Sequence, residues 1–226
     1  MATDQNALMQ KDEEIVTSLQ QLANLPPEQT LILGQKVLQN VQAQAGSAGL
    51  GGGLAYVFLQ SAYASAGITS LRGQGFVLAR ANGKWLAPAY VSLSKLGAGL
   101  SVGGEVVDSL VVLHRPEDLA KFSKPEFVIK DYVNAGANVP EQGGAHAPST
   151  TVGPPTVFSA AVGLTLKKGA HDLNGAKVKA HTASNEKAYG KEATPEKILS
   201  GAVQIPPGLE PLQQALEALS VSHAVA

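Results

Sequence analysis

Asn82-Gly83 interrupts the run FVLARANGKWLAPAYVSL, and it leaves the backbone little choice. A two-residue type I′ turn needs positive φ at both central positions, so the segments on either side are expected to pair as an antiparallel hairpin. Downstream, SVGGEVVDSLVVLHRPEDLAKF adds a strand ending at Leu113 and a short helix starting near Pro116. Further strands are expected at about Val157 to Leu166 and Ala176 to His181. Asn134 to Pro155 is too rich in Gly, Pro and Ser for a regular element and reads as a loop. Strands with no helix between most of them indicate an α+β fold rather than a doubly wound one. The expected architecture is mainly an antiparallel β-sheet, sandwich or barrel-like, with N-terminal helices and a C-terminal amphipathic helix.

The helices are read from their period. Leu8, Ile15, Val16, Leu19, Leu22 and Ala23 share one face of a helix over about Asn6 to Leu22. Pro27 and Glu28 suit a second helix start, since proline loses nothing at the first turn and a carboxylate favours the helix N-terminus. Leu31, Val37, Leu38 and Val41 line that helix until Gly46. Thr194 caps a short turn begun by Pro195, and Leu209, Leu212, Leu216 and Leu219 make a final amphipathic helix.

From Val37 to Leu71 the chain carries no charge. That length is enough to span a bilayer, but Gly51, Gly52 and Gly53 stand in a row, serines and Gln60 recur, and no Lys or Arg cluster flanks the run. It also lacks the lysine of a phosphate-binding loop. What remains is buried or lipid-facing chain whose glycines allow close backbone approach, core packing being the preferred alternative, with LAYVFLQSAY as its strand or helix.

Several chemistries drop out. There is no cysteine, so disulfides, thiolate metal sites and thiol nucleophiles are absent. His114, His146, His171, His181 and His223 show no ligand spacing, and no G-x-S-x-G elbow exists. The glycines of GAGLSVGGE fall inside a strand pattern with no helix after them, so they read as tight packing rather than a dinucleotide fingerprint. Glu105 and Asp108 sit at an odd spacing, on opposite faces of a strand, and make a poor catalytic pair. The N-terminus has no basic region followed by an apolar core, and a cytoplasmic product is the expectation.

Only 15% of residues are charged, against about 25% for ordinary domains, and the net charge is −1. A dedicated nucleic-acid binder would be basic overall. The charge is uneven, with six lysines against two carboxylates over residues 167 to 191. In AKVKAH, a strand would send Lys177, Lys179 and His181 to one face and Ala176, Val178 and Ala180 to the other. This face, with Lys167 and Lys168, is either a surface for anionic headgroups or simply a solvated face. Arg80 and Lys84 flank the hairpin turn and either join that surface or, for Arg80, pair with Asp108 inside the fold.

The spacing of Gly73, Gly75, Ala79, Arg80, Gly83, Trp85 and Pro88, then Gly97, Gly99, Gly103, Glu105 and Asp108, resembles the SYLF-domain family. NEKAYG, TPEKILSG and PPGLEPLQQALEAL are similar to its closing segments. Two motifs depart from the family's pattern: NAGANVPEQGG stands where a G-P-x-G-R stretch is usual, and FSAAVGLTLKKG where Y-S-x-S-K-G is usual. The resemblance implies one SYLF-like domain over residues 25–220, preceded by a helical extension over 1–24. It implies a non-enzymatic module without cofactor or metal that binds acidic membrane lipids such as phosphoinositides at the cytoplasmic face of a membrane, in some eukaryotic members beside actin. The lipid- or anion-binding residues expected are Arg80, Lys84, Lys167, Lys168, Lys177 and Lys179. The alternative is a structural protein that kept the fold, lost the lipid site and assembles as a homo-oligomer.

Overall fold

The computed structural model describes residues 27–45, 50–134, 153–162 and 172–222. The helix expected over Asn6 to Leu22, most of the loop before Pro155, and Lys167 and Lys168 lie outside the described residues. A 3-10 turn at Pro27–Gln29 leads into helix α1 (Thr30–Ala45), followed by strands β1 (Ala55–Ala81), β2 (Lys84–Trp85) and β3 (Ala89–Leu113). Helix α2 (Pro116–Phe122) and strands β4 (Glu126–Val128), β5 (Val133–Asn134), β6 (Thr156–Val162) and β7 (Lys177–Ala180) come next. Helices α3 (Thr182–Tyr189), α4 (Pro195–Leu199) and α5 (Glu210–Ser222) close the chain. The fold is α+β with a curled, mostly antiparallel sheet, as the strand pattern implies. The exception is β5, which runs parallel to β6.

The turn forms as its residues dictate, with φ of 50° at Asn82 and 74° at Gly83. The strand that follows it, β2, is only two residues long, whereas β1 and β3 are far longer than the pattern suggests. β3 does not stop at the glycines of GAGLSVGG but runs 25 residues without a break. Its register against β1 holds from Val77↔Ala89 to Ala55↔Leu113, with one shift between Ala66 and Ile68.

A straight strand of 27 residues would extend about 90 Å, so β1 has to bend. It doubles back on itself: Arg80 N donates to Leu54 O at 3.0 Å, and Phe58 stacks on Phe76 at 4.9 Å. Two glycines permit this contact. A Cβ on Gly75 would strike the carbonyl oxygen of Phe58, and one on Gly73 would lie 2.8 Å from Gln60 O. Within the uncharged stretch Val37–Ala45 belongs to α1 and Ala55–Leu71 to β1, where Ala55 to Leu59 is buried core.

β3 organises the remaining strands. Along its other edge it pairs with β6 through Val106–Val112 and with β7 through Val91–Ser94, and β4 adds to β7. Both faces of the sheet are covered around Tyr56-Val57-Phe58-Leu59, which is why that run is apolar throughout rather than alternating. One core gathers Val57, Val77, Val91, Val111 and Val178 with Phe122 of α2 and Ile198 of α4. The other gathers Tyr56, Phe58, Phe76, Tyr90 and Leu110 under Leu33, Val37 and Val41 of α1 and Leu212 and Leu216 of α5.

Helix α3 has no periodic signal in the sequence, because NEKAYG shows no apolar period. His181 accepts from Ser184 N at 3.2 Å through Nδ1 and caps it. The buried carboxamide of Asn185 then accepts from Tyr90 N at 2.9 Å and donates to Tyr90 O at 3.0 Å, fixing the helix to β3.

Candidate anion-binding face

β7 has the alternation its sequence implies: Val178 is buried, while the side chains of Lys177 and Lys179 are 45% and 53% exposed. Both lysines reach one carboxylate. Glu126 Oε1 lies 3.4 Å from Lys177 Nζ, and its Oε2 lies 3.3 Å from Lys179 Nζ. Hydrogen bonds from Lys179 and Lys177 hold the Glu126 carboxyl below its ordinary value. One negative charge is shared between two positive ones, so the cluster stays net positive at the surface. His181 does not extend it. β7 ends at Ala180, and the imidazole is turned to the backbone of α3.

Register adds a residue that local pattern did not single out. Lys177 pairs with Ser94, and Ser94 pairs with Arg72. Lys179 pairs with Ser92, and Ser92 with Gln74. Directly opposed residues point to the same face, so two rows cross the sheet, Arg72–Ser94–Lys177 and Gln74–Ser92–Lys179. Arg72 is exposed, and among the described residues it has no hydrogen-bond or ion-pair partner. The only sequence signal for it was parity within β1, which means nothing until the register to β7 is known.

Arg80 and Lys84 sit at the hairpin turn, joined to the β7 lysines by no described contact. Arg80 Nη2 lies 3.7 Å from Glu217 Oε1 of α5 and donates to Gly83 O at 3.3 Å. Its guanidinium lies 5.6 Å from the Trp85 ring centroid, and Trp85 Nε1 donates to Glu217 Oε1 at 3.0 Å. Lys84 is exposed and, among the described residues, unpaired. The alternative pairing of Arg80 with Asp108 does not occur. Asp108 is fully buried and accepts from Asn40 Nδ2 at 2.6 Å and Gln60 Nε2 at 2.9 Å, with Lys36 Nζ at 3.8 Å. It lies on the side of the sheet covered by α1, too far along β3 from the turn to meet Arg80.

A second carboxylate, Asp118 at the start of α2, is also buried. It accepts from Arg115 Nε at 2.7 Å and Lys121 Nζ at 2.8 Å. Burial alone would raise its pKa, but those two hydrogen bonds outweigh it and hold the carboxyl below its ordinary value. His114 is half-buried, and both its ring nitrogens lack a partner. Burial pushes its pKa below 6.5 although Asp118 pulls the other way. The bonds of Asp118 stay within and beside α2, and His114 takes no part in them. Among the described residues no group of three or more His, Cys, Asp and Glu could hold a metal ion. Among them, too, no helix is long and apolar enough to cross a membrane.

Residues 94–219 match the model of a family described as Ysc84, Las17-binding protein actin regulator. Protein YSC84 of Saccharomyces cerevisiae is 33% identical over 153 residues, covering 64% of this chain and 31% of that protein. LAS seventeen-binding protein 3 of the same species is 30% identical over 159 residues, covering 67% of this chain and 33% of that protein. SH3 domain-containing YSC84-like protein 1 of Rattus norvegicus is 38% identical over 58 residues, 25% of this chain and 17% of its own length. The chain spans about a third of the length of the yeast proteins it matches. No solved structure matches it.

Proposed function

Because the chain belongs to the Ysc84, or SYLF-domain, family, whose description is that of Las17-binding actin regulators, we propose that it is a non-enzymatic binding module. Its ligand is an acidic lipid surface, with a phosphoinositide as the headgroup and the lysine-bearing strand β7 as the contact. A protein partner of the actin-regulating kind acts beside it. The observation that carries this reading is the sharing of Glu126 by Lys177 and Lys179. Two half-exposed ammonium groups with one carboxylate between them keep a positive charge at the surface of a rigid strand. Arg80 contributes less, since its guanidinium already serves Glu217, Trp85 and Gly83.

Each lysine near an acidic surface contributes about 1 kcal/mol, so reversing both is expected to weaken binding by about tenfold or more. The test is co-sedimentation with phosphatidylcholine vesicles with and without phosphatidylinositol bisphosphate, comparing the wild type with Lys177→Glu/Lys179→Glu. Wild-type binding that needs the phosphoinositide and is lost in the double variant is the expected result. Binding indifferent to both the headgroup and the substitutions would refute lipid recognition by this face.

A further inference from the structure

We propose that Arg72 is an unassigned anion-binding residue, and that with Lys177 and Lys179 it holds a phosphomonoester over the floor made by Ser94 and Ser92. The proposal rests on the reading of β7 as an anion surface and gives that surface a second wall. Neighbouring strands lie about 4.8 Å apart, which puts the Cα atoms of Arg72 and Lys177 about 10 Å from each other across Ser94. Both side chains are long enough to meet over that spacing, Lys177 by turning from Glu126 on the other side of β7, and the residue between them is small. Ser94 and Ser92 are partly exposed, so the space above them is open to solvent and their hydroxyls can donate into it.

The charge of the trough selects the ligand. Arg72, Lys177 and Lys179 carry three positive charges, and Glu126, on β4 at the edge of β7 away from Arg72, offsets one of them through the two lysines, leaving two uncompensated. A phosphomonoester carries about −1.5 to −2 at neutral pH, which matches that excess better than the single charge of a carboxylate. Arginine also supplies a planar fork of donors suited to two phosphate oxygens, which lysine lacks. Arg72 is available for this because, among the described residues, nothing else engages it. The phosphomonoester fits best as part of an inositol lipid headgroup, since Arg72, Lys177 and Lys179 stand exposed at the surface rather than in an enclosed pocket.

The variant to make is Arg72→Gln. Arg72 is exposed and bonds to nothing described, so the variant is expected to keep the wild-type unfolding midpoint. Two probes are used with the full chain: vesicles containing phosphatidylinositol bisphosphate, and soluble inositol trisphosphate by calorimetry. The expected result is binding of both by the wild type and a loss of about fivefold or more with Arg72→Gln. If Arg72→Gln binds like the wild type while Lys177→Glu/Lys179→Glu does not, the role of Arg72 is overturned and the lipid reading stands. If the soluble probe binds in an Arg72-dependent way and vesicles do not bind, Arg72 keeps its role and the lipid reading fails. If the wild type binds neither probe, both are overturned.

Discussion

Asp108 has no solvent exposure, yet it is surrounded by donors: Asn40 from α1, Gln60 from β1 and Lys36 above them. Its role is to fasten α1 to the ribbon. Replacing it with Ala leaves two amide donors without an acceptor, at an expected cost of about 3 kcal/mol, and Asn is expected to recover part of this. Urea unfolding of Asp108→Ala and Asp108→Asn checks it; a loss below about 0.5 kcal/mol for the alanine variant would contradict the assignment. Other residues that carry the family resemblance serve architecture in the same way. Gly75 admits the Phe58 carbonyl, Asn185 pairs with the Tyr90 backbone, and Tyr189 donates to Pro88 O at 2.7 Å. Trp85 links the turn to α5 through Glu217. These motif residues hold the fold together, while Lys177 and Lys179, proposed above to meet the ligand, lie outside the motif.

Among the elements, α1 and α5 meet where a glycine faces a leucine. A Cβ on Gly34 would press on Leu212 Cδ2 and lie 3.2 Å from Phe76 Cζ. Leu212 is fully buried, so Leu212→Ala is expected to cost about 3 kcal/mol through lost burial and the cavity left behind. Gly34→Ala destabilises for the opposite reason, too little room. Combining them lets the new methyl occupy vacated space, so the double variant is expected to be less damaged than the sum of the two. A thermodynamic cycle by denaturant unfolding measures this, and strict additivity would mean that the helices do not meet at this point. The amphipathic pattern of α5 was legible because Leu209, Leu212, Leu216 and Leu219 repeat at the helical period, and all four are buried. The identity of the facing helix was not, since periodicity shows that a stripe is covered without showing by what.

At the scale of the whole molecule, stability is expected to depend on pH through His114. Its folded pKa lies below 6.5 because the ring is half-buried, while in the unfolded chain it protonates near that ordinary value. Above it both states are neutral; as pH falls the unfolded state binds the proton first, so stability present above 6.5 is lost toward the lower folded value. The urea midpoint is expected to fall between about pH 7 and pH 5, and His114→Phe to flatten that slope. An unchanged slope in the variant would assign the effect elsewhere. The sequence alone determined what depends on neighbours in the chain: the Asn82-Gly83 turn, the Thr194 cap, the face of α5 and the alternation along β7. These follow from local φ preferences and side-chain period, which a few adjacent residues encode. Only the tertiary structure decided that β1 folds back on itself, that Glu126 meets the β7 lysines while Glu217 meets Arg80, and that Arg72 stands in line with Lys177. Those outcomes turn on register between strands distant in sequence, where a slip of one residue would send every side chain to the opposite face.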